Sequence, residues 1–241
     1  MIDIIFLAIA GGTMLLSLGA AALVRSRVAE AQQVQAGGGF TGAEAAAQIL
    51  RHSRLEGLSI VEHEGVLSDH YNPMTRTLAL SHAVYHGRDA AAVGIAAHEA
   101  GHAIQHAQGY APMWLRSLLV PAANLGSMLG PWLVIAGIAL GAAQQAVPGL
   151  GWWLAAAGLG LFGLAALFTV VTLPVEFDAS NRARELLREY RLVGHNGEDA
   201  RQVDRVLTAA GLTYVAAAAT SVLWLLYWAW QAGFLGGNRD R

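Results

Sequence analysis

The run His98-Glu99-Ala100-Gly101-His102 holds the side chains of this chain best suited to chemistry. On a helix, residues four apart share a face about one turn apart. Two imidazoles so placed can both reach one Zn²⁺ at roughly 2.0–2.1 Å. Glu99 neighbours the first imidazole and is not needed for binding. It can take a proton from a water beside the metal and hand it to a leaving amine. The chain has no Cys, which excludes disulfides and thiolate chemistry, so any metal must rest on His and carboxylates. The preceding run, Ala-Ala-Ala-Val-Gly-Ile-Ala-Ala, would bury the helix. Two His and a Glu buried together are costly unless a metal or partners satisfy them.

A catalytic zinc needs a third protein ligand. His106 continues the spacing, but it lies about 12 Å along a helix from His98, too far to share one ion. Position 108, where a third His would fall in metzincins, is Gln108. Residues 100–175 contain no Asp or Glu, so the next carboxylate is Glu176, with Asp178 its rival from the same turn. Either could instead be an ordinary first-turn acid stabilised by the helix dipole.

The elements that must position these groups follow from hydropathy and charge. Only 13% of the 241 residues are charged, and residues 117–175 carry no Asp, Glu, Lys or Arg at all. A plain soluble globule does not absorb such a run; two bilayer crossings of about 20 residues each do. Spans are expected near residues 4–24, 118–143, 152–173 and 214–235, with Pro121 and Pro131 able to break the second. Residues 28–40 read as a linker. Thr41 and Glu44 form a capping-box pattern opening a helix to about residue 53. Residues 58–63 and 77–81 read as strands, with turn chemistry at 69–73 between them. Asp89 caps a helix over residues 90–108 that carries the His pair. After Pro174 a separate charged helix runs from 176 to about 191, and another covers roughly 198–210.

The expected organisation is a mainly α membrane protein with about four transmembrane helices and a zincin-like catalytic part containing a small β-sheet. The pieces are transmembrane helix 1 at 1–24, a catalytic segment at 25–113, a transmembrane hairpin at 114–174, a second catalytic segment at 175–212, transmembrane helix 4 at 213–235 and a tail at 236–241. Two spans separate the polar segments, so both lie on one face of the bilayer. Thirteen of the fifteen Arg residues fall on that side, only Arg239 and Arg241 on the other, which points it to the cytoplasm. A net charge of −2, with no basic-aromatic clusters, gives no sign of nucleic-acid binding.

The segments Ala-Ala-His98-Glu99-Ala-Gly-His102-Ala-Ile-Gln and Leu-Pro-Val-Glu176-Phe-Asp178-Ala-Ser180-Asn181-Arg182-Ala together resemble the YugP-like family of membrane zinc metallopeptidases. They are more distantly similar to the HtpX and CAAX prenyl protease group. The resemblance implies His98, His102 and Glu176 as zinc ligands and Glu99 as general base. The HtpX pattern has an Asp four residues after the ligand Glu, where this chain has Ser180. The brace for a ligand His is then expected from Asp178, Asn181 or Ser180.

Peptide hydrolysis also needs an oxyanion donor, for which Arg182, Tyr190, His195 and Tyr110 are candidates. The strand at 77–81 is expected to offer an open edge to substrate backbone. His52, His63, His70, His82 and His86 read as surface or locally bonded residues, with His70 a candidate for the cleft. The Ala- and Gly-rich faces of spans two and three read as helix-packing surfaces. The expected function is an integral-membrane zinc metalloendopeptidase acting on peptides or membrane proteins near the cytoplasmic surface. The alternative is a zinc-containing scaffold without activity, its fourth metal position closed by a group such as His70. An ion transporter would need ionisable residues within the spans, and 117–175 has none.

Overall fold

The computed structural model describes residues 3–55, 57–142, 148–194 and 197–235. Four helices are long and apolar enough to cross a membrane: α1 (Ile4–Ala31), α5 (Ala111–Ala139), α6 (Leu150–Glu189) and α7 (Glu198–Gln231). The remaining elements are α2 (Gly42–His52), β1 (Ser59–His63), β2 (His70–Asn72), β3 (Thr77–Ser81), α3 (His82–His86) and α4 (Ala90–Ala107). The chain divides into two units, and each of the four long helices has residues in both.

The first unit comprises Met1–Ser17, Leu115–Leu173 and Tyr214–Arg241. Its apolar side chains face outward, among them Leu118, Trp132, Leu15 and Trp153, as a lipid solvent requires. Inside, α5 and α6 pack through glycines. A Cβ on Gly126 would meet the Leu161 carbonyl, and one on Gly158 would lie 2.7 Å from the Gly130 carbonyl. This is the small-residue packing that the composition of these spans suggests. Pro121 and Pro131 sit inside a continuous α5 and do not break it.

The second unit comprises Leu18–Trp114 and Pro174–Thr213. Its core gathers Ile49 and Leu50 of α2, Leu78 and Leu80 of β3, Val93, Ala96, Ala97 and Ala100 of α4, Leu187 of α6 and Val203 of α7. The Thr41 hydroxyl accepts from the Glu44 N–H, and the Glu44 carboxylate accepts from the Thr41 N–H at 2.8 Å, so the capping box forms. Asp89 caps α4 by accepting from the Ala92 N–H at 3.0 Å.

Four sequence expectations change here. The stretch 28–40 is no free linker. Its start completes α1, the Ala36 N–H donates to the Arg88 carbonyl, and the Gly37 N–H donates to the Asp199 carboxylate at 2.8 Å. The turn region 69–73 contains a third strand, β2, antiparallel to β3 with His70 opposite Ala79. β1 pairs with β3 in parallel, Ser59 opposite Thr77, so β3 is the middle strand of order β1-β3-β2 and has no open edge. Finally, the charged helices expected after Pro174 and before Tyr214 are not separate elements. α6 passes unbroken through Pro174, and α7 joins the second polar helix to the fourth span. A proline inside a helix removes one backbone hydrogen bond. Around this turn Tyr110 donates to the Pro174 carbonyl and Gln105 to that of Val175.

Candidate metal centre

α4 carries His98, Glu99 and His102 near its middle, all within the second unit. Glu99 and His102 are buried, each 8% exposed, and His98 is partly buried. The two imidazole rings stand almost perpendicular with centroids 4.7 Å apart. Facing them on α6 is Glu176, 2% exposed. One of its oxygens, Oε2, lies 3.2 Å from His98 Nε2 and 3.6 Å from His102 Nε2. The three groups offer ligand atoms all within 4.8 Å of one another. Asp178, the rival, points elsewhere, to Arg182 Nε at 2.5 Å and the Gln105 amide at 2.8 Å.

Close approach of two backbones makes this meeting possible. A Cβ on Gly101 would lie 2.7 Å from the Ala179 carbonyl oxygen, so α4 and α6 touch where only glycine fits. On either side of that contact, His98 and His102 reach across to Glu176.

The ring nitrogens that face away from Glu176 are also held. Ser180 Oγ lies 3.2 Å from His98 Nδ1, as one of the three sequence candidates for a brace. Asn181 instead accepts from Arg184. His102 Nδ1 lies 3.0 Å from Gln105 Oε1. Gln105 is fully buried and was not among the expected braces. Its position three residues after His102, on the same helical face, is the signal that marks it. Its amide nitrogen donates to the Val175 carbonyl at 2.7 Å and to the Asp178 carboxylate, which accept and cannot donate. The amide must therefore turn its oxygen to His102. The Nδ1 of His102 then carries the proton, and the Nε2 lone pair is left for a metal.

Charge favours a cation here. Burial opposes ionisation of Glu176, but hydrogen bonds from His102 and His98 outweigh it and hold its carboxyl well below the ordinary range. Burial likewise opposes protonation of His102, yet Glu176 and Glu99 raise its pKa overall. Two buried carboxylates need compensating positive charge, which protons on the imidazoles or a divalent ion can supply. Two imidazoles and one carboxylate are a zinc donor set, so the residues fit the metal.

Residues 5–233 match the family model described as "Putative neutral zinc metallopeptidase". The chain belongs to that family. It is also 39% identical over 222 residues, 92% of this chain and 93% of the relative, to the "Putative membrane protease YugP" of Bacillus subtilis (strain 168). No solved structure matches. The family and the four apolar helices make this a membrane metallopeptidase of the zinc class.

The oxyanion candidates are engaged in other contacts. Arg182 pairs with Asp178, donates to Gln108 at 2.7 Å and lies over the Tyr110 ring. Tyr110 donates to the Pro174 carbonyl, and Tyr190 stacks on His52. His195 lies outside the described residues. His70 Nδ1 meets the Ser68 carbonyl at 2.8 Å, and its ring packs edge-on against His63. Among the described residues, the metal-ligand group around His98 and His102 contains Glu176 and not His70.

Proposed function

We propose that the protein is an integral-membrane, zinc-dependent endopeptidase whose metal is held by His98, His102 and Glu176. The convergence of both imidazole Nε2 atoms on one Glu176 oxygen carries this reading. Zinc, when bound, supplies Lewis-acid charge that acidifies water and polarises a peptide carbonyl. Glu99 takes the proton from the attacking water and delivers it to the leaving amine. Ser180 and Gln105 hold the two imidazoles in orientation while this happens. Burial of Glu99 keeps bulk water from competing for the proton.

The site works beside the cytoplasmic face of the membrane. The distribution of Arg supports the side, and the short tether from the apolar part of α6 to Glu176 supports the depth. Peptides and juxtamembrane segments of membrane proteins are the substrate class that such a place admits.

The test is zinc content and cleavage of an unfolded membrane protein, measured together on purified protein. Glu99→Gln is expected to keep its zinc and to lose about 10²–10⁴-fold in rate. Full rate in that variant would remove Glu99 as the base. Unchanged zinc stoichiometry in Glu176→Ala would move the third ligand elsewhere.

A further inference from the structure

Of the two groups able to hold a metal among the described residues, the second is Glu62, His82 and His86, all exposed and all in the second unit. Its chemistry is not used by the peptidase site. We propose that these three residues form a second, exchangeable site for a divalent transition metal such as Zn²⁺.

The local fold builds it. Glu62 lies on β1 opposite Leu80 of β3, two residues before the chain leaves the strand as α3. α3 begins with His82 and ends with His86, so its two imidazoles stand one turn apart on one face. The carboxylate lies between them. His82 Nδ1 is 2.5 Å from Glu62 Oε1, and His86 Nε2 is 3.1 Å from Oε2. Ligands about 2.0–2.1 Å from a tetrahedral ion stand about 3.3 Å apart, so a small outward movement of His82 would seat the metal. The exposed side chains have room for that movement, their accessibilities running from 44% for Glu62 to 79% for His82. Water fills the remaining coordination positions.

The surroundings set the strength. The Nδ1 atoms at the buried centre meet Ser180 and Gln105, and that centre excludes most water. Comparable bracing contacts change metal affinity about 10–100-fold. The Glu62 site therefore binds more weakly than the buried one by at least about tenfold. Filled, it clips β1 to α3, the segment that leads into the capped start of α4.

Equilibrium dialysis of the full-length, metal-stripped protein against Zn²⁺ alone tests this. Wild type is expected to take up two equivalents in two separated steps. The double variant His82→Ala/His86→Ala should keep the tight equivalent and the peptidase rate while losing the weak one. His98→Ala/His102→Ala should show the reverse, which separates this site from the proposed catalytic centre. Co²⁺ replacing Zn²⁺ should give a visible ligand-field absorption from the weak site that disappears in Glu62→Gln. If His82→Ala/His86→Ala does not fold, the Co²⁺ spectrum of Glu62→Gln against wild type decides, and an absorption unchanged in that variant overturns the proposal. A single equivalent in wild type, or a second one that survives His82→Ala/His86→Ala, overturns the proposal.

Discussion

The same set of three side chains, two His and one Glu, comes together twice among the described residues, once buried and once at the surface. Their distances are similar; their settings differ. The buried carboxylate comes from another helix, far along the chain, and is almost inaccessible to water. Its imidazoles are held by Ser180 and Gln105, and Gln105 is itself held by Asp178 and the backbone. The surface carboxylate comes from a nearby strand, and its imidazoles sit on a helix of five residues. Donor type and spacing are what the two groups share; burial and bracing, which tune metal affinity, are what separate them.

Changes to the buried group should have the largest effects. Glu176→Ala removes one ligand and leaves two imidazoles without a counter-charge; zinc measured after dialysis is expected to fall to background from that centre. A variant that kept its tight zinc would erase the distinction between the two groups. Gln105→Leu preserves all ligands but releases His102, so zinc affinity at the buried centre should drop about 10–100-fold in competition with a chelator. An unchanged affinity would mean that bracing is not what separates the groups.

A third change leaves both groups alone and probes the frame of the second unit. The Asp199 carboxylate accepts from the Gly37 and Gly194 N–H groups at 2.8 and 2.7 Å, joining two loops. Burial opposes its ionisation, but these hydrogen bonds prevail and its pKa is lowered. A group with a depressed folded pKa contributes stability above its unfolded pKa and loses it as pH falls through the folded one. Asp199→Asn should therefore cost about 1 kcal/mol at neutral pH. The difference from wild type should shrink below about pH 4 in denaturant unfolding. A constant difference across that range would assign the cost to packing. The smallest effect is expected at the surface group. Without metal, Glu62→Gln should change stability by less than about 0.5 kcal/mol, because exposed ion pairs contribute little.

The four apolar spans, the small sheet and the Asp89-capped helix were legible in the sequence. The His pair on one helix follows from spacing; the lack of any earlier acid and the parity of the spans leave Glu176 and Asp178 as partner acids, and the family resemblance implies Glu176. Other features were hidden for physical reasons. β2 has only three residues and lies within strong turn chemistry, with Asn72 accepting from the Met74 and Thr75 N–H groups. Local signals there favour a turn, and pairing with β3 decides for a strand. That pairing also removes the open edge expected of β3. Pro174 signals a break by local rules, yet α6 continues through it, with Tyr110 and Gln105 bonded to the carbonyls of that turn. Gln105 carries no charge, and its importance appears only when Val175 and Asp178 from a distant segment fix the direction of its amide.

Gly101 bears on how such a centre could be transplanted. The two middle letters of the His-Glu-Ala-Gly-His run are not free spacers: Ala100 is fully enclosed, and Gly101 faces the Ala179 carbonyl at a distance no side chain tolerates. A designer who copied only the three polar letters onto another helix would obtain two imidazoles and a carboxylate with nothing across from them. What must be copied is the crossing of two helices, and the missing methyl group at its centre is part of the recipe.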